Sequence, residues 1–196
     1  MIQIPNYVFE FLIQNNYIGK TRTLIVGENY PNPDYAATYF YRSLPSCPGG
    51  PPVGNTPQFF QRLCDCLLIP QNDLREAPLT ELMRLRYFLN KGFILIDAQP
   101  NGVKPNRNPP ILEANQVNDF VNTILLLNPE NIIFLTNSNI EVIAQIGQHL
   151  MGNRILRRIV TNPITGTQVF AFPAPPANPH LFVEQLNALR ENGFNI

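Results

Sequence analysis

Four short apolar runs, three cut off by polar residues and the last by prolines, constrain what this chain can fold into more than any other feature. They are Thr23-Leu24-Ile25-Val26, Phe93-Ile94-Leu95-Ile96, Asn131-Ile132-Ile133-Phe134-Leu135 and Gln168-Val169-Phe170-Ala171-Phe172. Each is β-rich and nearly unbroken, which is the pattern of a strand buried on both faces. Between them lie segments whose apolar residues recur at helical spacing. Val8, Phe9, Leu12 and Ile13 share a face in Val8 to Asn16, and Phe60, Leu63 and Leu67 do so in Pro57 to Leu68. Pro78 to Asn90, Glu113 to Leu127 and Ile140 to Met151 also read as helices. Gly19, Gly92 and Gly152 are stop signals. Asn178 is placed to cap a last helix running to about Arg190, with Pro179 at its first position. Arg157 to Val160 is a candidate short strand. Strands that alternate with helices predict an α/β fold, a mostly parallel sheet covered on both faces. There is no internal repeat and no linker, so residues 1–196 read as a single domain with ample length for a core.

Charge and cysteine content narrow the function. The formal net charge is zero, which weighs against tight, sequence-blind DNA binding but permits a local basic patch. No apolar run reaches the roughly 20 residues of a membrane span. Met1-Ile2-Gln3-Ile4-Pro5 lacks the basic start and apolar core of a signal peptide. The expectation is therefore no membrane association and an intracellular place, cytoplasmic or nucleoid-associated. The three cysteines, Cys47, Cys64 and Cys66, lack the paired spacing of a zinc or cluster site. They read as reduced thiols, Cys64 and Cys66 on a helix, and neither metal nor cofactor is expected. The 20 prolines concentrate in loops such as 29–56 and 98–110, which suggests rigid, shaped loops on a compact scaffold.

Chemistry gathers where the strands stop. In α/β proteins ligands bind outside the carboxyl ends of parallel strands. The first run ends in Gly27-Glu28-Asn29-Tyr30-Pro31, where the glycine lets a ligand approach the backbone and the next three side chains are polar. The plainer reading is a strand followed by an ordinary loop, with Glu28 capping a turn. The other ends are Asp97-Ala98-Gln99, Thr136-Asn137 and Phe172-Pro173-Ala174-Pro175.

In order and spacing these four strand ends resemble the uracil-DNA glycosylase superfamily, and within it the bacterial and archaeal iron–sulfur branch. Gly27-Glu28 is similar to that branch's glycine-glutamate motif. Pro51-Pro52-Val53-Gly54, ahead of Phe59-Phe60-Gln61-Arg62-Leu63, is similar to its Pro-Phe-Val-Gly segment before a helix. Asp97 and Asn106-Arg107-Asn108-Pro109 stand where the branch has a strand-end Asn and an Asn-Arg-x-Pro. Phe172-Pro173 stands where it has His-Pro. The likeness runs from about Thr23 to Leu189. It implies a three-layer αβα domain around a central four-stranded parallel sheet, with a flipped-out base bound at the strand ends.

The departures are as informative as the matches. Phe172 replaces the histidine that steadies charge on the departing base. Asp97 replaces the asparagine that reads the uracil edge, and Pro52 replaces the stacking aromatic. The four cluster cysteines have no counterparts, so no metal cluster is expected.

The resemblance assigns roles residue by residue. Glu28 and Asn29 are the catalytic candidates, Glu28 as base or as support for a cation-like sugar and Asn29 as holder of the water. Gly27, Tyr30, Asp97, Asn137, Phe172 and Pro173 are the base or ligand set. Tyr30, Tyr39 or Tyr41 can stack on a base in place of the missing aromatic. Lys104, Arg107, Arg154, Arg157 and Arg158 are the phosphate candidates, and the alternative for the Arg157-Arg158 pair is solvated surface. An ionised Asp97 only accepts hydrogen bonds, so a bound base is expected to be something other than uracil. The alternative for Asp97 is a cap on the Ala98-Gln99-Pro100-Asn101 turn. His180 reads as a surface residue of the last helix and His149 as a helix-end residue.

The expected function is hydrolysis of an N-glycosidic bond to a non-uracil base in DNA, as in base excision repair. The alternatives are an inactive relative that binds a nucleobase, nucleotide or DNA, and a protein-interaction module. For the last, Tyr35, Tyr39, Phe40 and Tyr41 form a candidate aromatic contact surface. DNA or a nucleotide is the expected partner.

Overall fold

The computed structural model describes residues 4–29, 40–47, 56–75, 77–99, 114–135, 169–172 and 178–196. Its elements are α1 (Asn6–Gln14), β1 (Thr23–Asn29), α2 (Gln58–Cys66), α3 (Glu81–Asn90), β2 (Phe93–Gln99), α4 (Ala114–Leu127), β3 (Asn131–Leu135), β4 (Val169–Phe172) and α5 (Pro179–Glu191). The class is α/β with a small parallel sheet, as the alternation of runs predicts. β1 pairs in parallel with β2 on one side and β3 on the other. The segment β4 continues the sheet beyond β3, so the strand order is β2-β1-β3-β4.

The strands start in register because one turn anchors them. The carbonyl of Gly92 accepts from the N–H groups of Arg22 and Thr23, and the carbonyl of Arg22 accepts from those of Glu130 and Asn131. Gly92 is required there. Its φ is +83°, and a Cβ would come within 2.8 Å of the Arg22 Cβ. Thr23 then faces Phe93 on one side and Asn131 on the other. Leu24, Ile25, Val26, Ile132, Ile133 and Phe134 are all buried, as unbroken apolar runs in a covered sheet require.

The helix ends follow their capping chemistry. Asn178 Oδ1 accepts from Leu181 N–H at 3.1 Å, with Pro179 in the first turn, as expected from the sequence. The helix expected from Pro78 starts instead at Glu81. Thr80 takes the cap, its hydroxyl accepting from Met83 N–H at 3.3 Å, while Pro78 bridges back to Asn72. β1 and β2 are each three residues longer than their apolar runs, ending at Asn29 and Gln99.

Two arginines are drawn into the packing. Arg42 meets Glu81 through both Nε and Nη2, the shortest contact being 2.9 Å. Arg84 Nη2 reaches Asp65 at 2.6 Å, and its Nε donates to Pro70 O at 3.1 Å. The Arg42–Glu81 pair is bidentate and nearly dry, whereas Asp65 is exposed, and together they tie α3 to its neighbours.

The candidate aromatic contact surface is corrected for its described members. Phe40 and Tyr41 are buried, and Phe40 packs on Phe60 and Phe88 with ring centroids 4.9 Å apart in each case. Tyr35 and Tyr39 lie outside the described residues. The helix at 140–151 and the strand at 157–160, with His149 and Arg154, also lie outside them. His180 is exposed on α5. Among the described residues no helix is long and apolar enough to cross a membrane.

Candidate functional site

The carboxyl ends of β1 and β2 are built from a glycine and an acid side by side. Gly27 is the register partner of Asp97, and two residues on Asn29 partners Gln99. The Asp97 carboxyl fills the space beside Gly27. A Cβ there would overlap Asp97 Oδ1 and lie 3.5 Å from Cγ. Gly27 is thus needed for close approach, and the guest is a side chain of the same sheet rather than only a ligand.

Asp97 therefore does not sit after the strand, as the apolar run suggested. β2 continues through Gln99, which displaces the reading of Asp97 as a cap on a turn at Ala98 and Gln99. The reason is pairing: the backbone ladder with β1 extends the strand past the point where apolar side chains end.

The Asp97 carboxyl is half-buried, and among the described residues it has no hydrogen-bond or ion-pair partner. Burial alone raises its pKa from 3.8 to about 7. The premise that Asp97 is a simple anion near neutral pH is corrected by this environment. Among the described residues no cation and no N–H group offsets the desolvation of its charge.

The neighbouring titratable group is Tyr41. Its hydroxyl donates to Leu95 O and accepts from Leu95 N–H, both at 3.0 Å. In a parallel strand the N–H and C=O of one residue point the same way, and among the described strands β2 lies at the edge, so the phenol binds its outward-facing peptide. Burial holds the Tyr41 hydroxyl protonated, and the Asp97 charge raises it further. Tyr41 is thus a structural clip, and its reading as a base-stacking residue is corrected.

Across the sheet the row continues. Val26 pairs with Phe134 and, one step on, Leu135 pairs with Phe172. Asp97, Gly27, Leu135 and Phe172 therefore follow one another along the carboxyl edge. The backbone of Glu28 and Asn29 lies in the last part of β1. Tyr30, Asn137, Pro173, Lys104, Arg107, Arg157 and Arg158 lie outside the described residues.

Other reactive groups are occupied structurally. Cys47, Cys64 and Cys66 are all buried, and none is joined in a disulfide. Burial pushes the Cys64 thiol up to about 12, which leaves it un-ionised and inert as a nucleophile. Among the described residues no group of three or more His, Cys, Asp or Glu is placed to hold a metal ion. A hollow of about 280 Å³ opens at the opposite, amino end of the sheet, lined in part by Arg22, Lys91 and Arg190. Two of those cations are engaged, Lys91 Nζ with Leu68 O at 3.3 Å and Arg190 Nε with Ile196 O at 3.2 Å.

Sequence reasoning named Gly27 and Asp97 but not their contact, and it missed the role of Tyr41. No local signal carries either, since Tyr41 and Leu95 are 54 positions apart. No family model matches the chain, and no curated protein matches it.

Proposed function

We propose that the chain is a divergent uracil-DNA glycosylase-like protein that takes a nucleobase, in DNA or as a nucleotide, at the carboxyl ends of β1 and β2. The observation that carries this reading is the Gly27–Asp97 pair at that edge. Parallel crossovers are right-handed. The connection from β1 to β2 runs one way across the sheet and that from β2 to β3 runs the other. Their helices therefore belong on opposite faces, which supports a three-layer αβα arrangement. The connections that follow β1 and β3 run in opposite directions, and the switch point between those strands, beside Gly27, favours a crevice for a ligand. The order β2-β1-β3-β4 suits the uracil-DNA glycosylase-like fold that the motif order suggests.

In this reading Glu28 and Asn29 serve the sugar and the attacking water. The water oxygen bonds to C1′, the C1′–N bond breaks, its electron pair leaves with the base, and Glu28 accepts the water's proton. Asp97 meets the base edge, Gly27 leaves room for it, and Tyr30, Asn137, Phe172 and Pro173 complete the lining. Lys104, Arg107, Arg157 and Arg158 serve the phosphates. The place of action is inside the cell.

The test is a base-release assay on single- and double-stranded oligonucleotides carrying uracil, hypoxanthine, xanthine or alkylated bases. Release of one base, abolished by Glu28→Gln, supports the hydrolase. No release from any substrate by folded protein overturns it. The loss of the leaving-group histidine at Phe172 favours a second reading, an inactive relative. Saturable nucleoside or salt-dependent DNA binding without release supports that one.

A further inference from the structure

Leu68 breaks a habit that the rest of the described chain keeps. Wherever else φ is positive, the residue is glycine or asparagine: Gly19, Gly92, Gly193, Asn16 and Asn128. Those residue types tolerate the left-handed region. Leu68 holds the same conformation, at φ +55°. It closes α2 as Asn16 closes α1 and Asn128 closes α4. Its N–H donates to Asp65 O at 3.0 Å and the Ile69 N–H donates to Cys64 O at 2.8 Å, a helix end that ordinarily uses glycine. The leucine side chain gives the fold little in return for that strain, since it is 69% exposed. Folding alone therefore does not account for a leucine at this position.

Leu68 stands on the rim of the hollow at the amino end of the sheet. Leu67 and Lys91 line that hollow, and Lys91 Nζ donates to Leu68 O at 3.3 Å. The floor is apolar, Leu67 and Phe93 being buried. The charged residues that line it, Arg22, Lys91 and Arg190, are all cations, with no Asp or Glu among them. Arg190 Nε is engaged by Ile196 O, but Lys91 keeps two N–H donors. Among the described residues the Arg22 guanidinium meets no acceptor. Its backbone is held on both sides, by Gly92 O and by the N–H groups of Glu130 and Asn131, so the side chain starts from a fixed base. Asn90 also lines the space. Its Oδ1 accepts from the Tyr17 hydroxyl at 3.1 Å, which leaves its amide N–H groups for a ligand.

We propose that this end of the sheet is a docking surface for an acidic segment of a partner protein, whose apolar side chain seats against Leu68 and whose neighbouring carboxylates meet Arg22 and Lys91. Charge complementarity selects the occupant. The chain is formally neutral, yet this hollow gathers cations and no acid, which attracts carboxylates and repels a second copy of the same face. The guanidinium fork of Arg22 suits a carboxylate held by two parallel bonds. A small anion alone leaves Leu68 without a use, whereas an apolar anchor ringed by polar contacts is how protein interfaces hold. The proposal does not rest on the nucleobase reading, whose residues Gly27 and Asp97 lie at the carboxyl end of the strands.

The experiment titrates the whole chain with a fluorescent peptide in which Leu alternates with Glu, read by anisotropy. Control peptides alternate Ser with Glu and Leu with Lys, and inorganic phosphate serves as a competitor. The native protein is compared with Leu68→Gly and Arg22→Gln, and sedimentation follows self-association. The Leu–Glu peptide is expected to bind more tightly than either control and to weaken as salt rises. Each variant is expected to weaken it by about tenfold. Leu68→Gly is expected at the same time to raise the melting temperature by roughly 2–4 °C, because glycine relieves the left-handed strain. A leucine kept for packing would instead lose stability on that change. No binding of the Leu–Glu peptide by folded protein, or binding that Leu68→Gly leaves unchanged, overturns the proposal. Equal binding of the Ser–Glu peptide, or displacement by phosphate as readily as by unlabelled peptide, marks a plain anion site and overturns it. Self-association that Leu68→Gly abolishes assigns the surface to a second copy and overturns it as well.

Discussion

Gly27 and Asp97 occupy one space between two strands: the residue without a side chain makes room for the carboxyl of its register partner. A methyl group at position 27 has to push that carboxyl aside. Gly27→Ala is expected to lower stability by about 1–2 kcal/mol, the usual scale for overpacking. Gly27→Ala with Asp97→Ala is expected to be less damaging than the sum of the two single changes, by at least about 0.5 kcal/mol. Urea unfolding of the four proteins closes the cycle, and simple additivity would refute the shared-space account.

The same carboxyl makes stability depend on pH in an unusual direction. Its folded-state pKa, about 7, lies above its ordinary 3.8. Between those values the folded protein holds a proton that the unfolded chain has released. This contribution to stability is present below 3.8, declines as pH rises and is lost above about 7. Asp97→Asn is expected to match the native melting temperature at the acid end and exceed it at pH 8. A pH series of thermal scans on both proteins measures the difference, and a constant gap across the series would contradict it.

Tyr41 is predicted to be worth more than its ring. In Tyr41→Phe the ring still fits, but the N–H and C=O of Leu95 lose their shared partner. Two orphaned buried backbone groups cost about 2–4 kcal/mol together. Chemical denaturation reads the total. Hydrogen exchange at the Leu95 amide locates it, since that amide should exchange faster than those of β3.

Thr23 offers a gain. It is fully buried, and among the described residues its hydroxyl has no hydrogen-bond partner. Thr23→Val replaces that unmet group with a methyl group of similar shape and should stabilise by about 1 kcal/mol. For a chain of this length that raises the melting temperature by roughly 2–4 °C. A fall instead would mean that the hydroxyl has a partner in solution.

The legible and illegible parts of the fold divide by the range of the forces involved. The cap at Asn178 and the start at Pro179 are local chemistry, and they read directly from three adjacent residues. The run Asn131 to Leu135 matches β3 end to end because apolar burial defines it. β1 and β2 outran their apolar runs because Gly27 and Asp97 are held by each other's backbone, a fact that neither segment carries alone. Phe40 and Tyr41 looked like a contact surface because Phe60, Phe88 and Leu95, which bury them or bind them, come later in the chain. Asp97 was legible as the polar end of the second apolar run, but its burial beside Gly27 was not. That depends on which described groups surround the carboxyl, which only three dimensions reveal.

The clip at Leu95 has a consequence for assembly. An exposed edge strand is a template on which another extended chain can zip itself, the route by which sheets recruit peptides or fuse into fibrils. On the β2 side the central outward peptide is already taken by a phenol anchored in the core. An incoming strand would have to evict a fully buried tyrosine before it gained its middle pair of hydrogen bonds. Tyr41 thus acts as a stopper, and it sets the width of the sheet from that side.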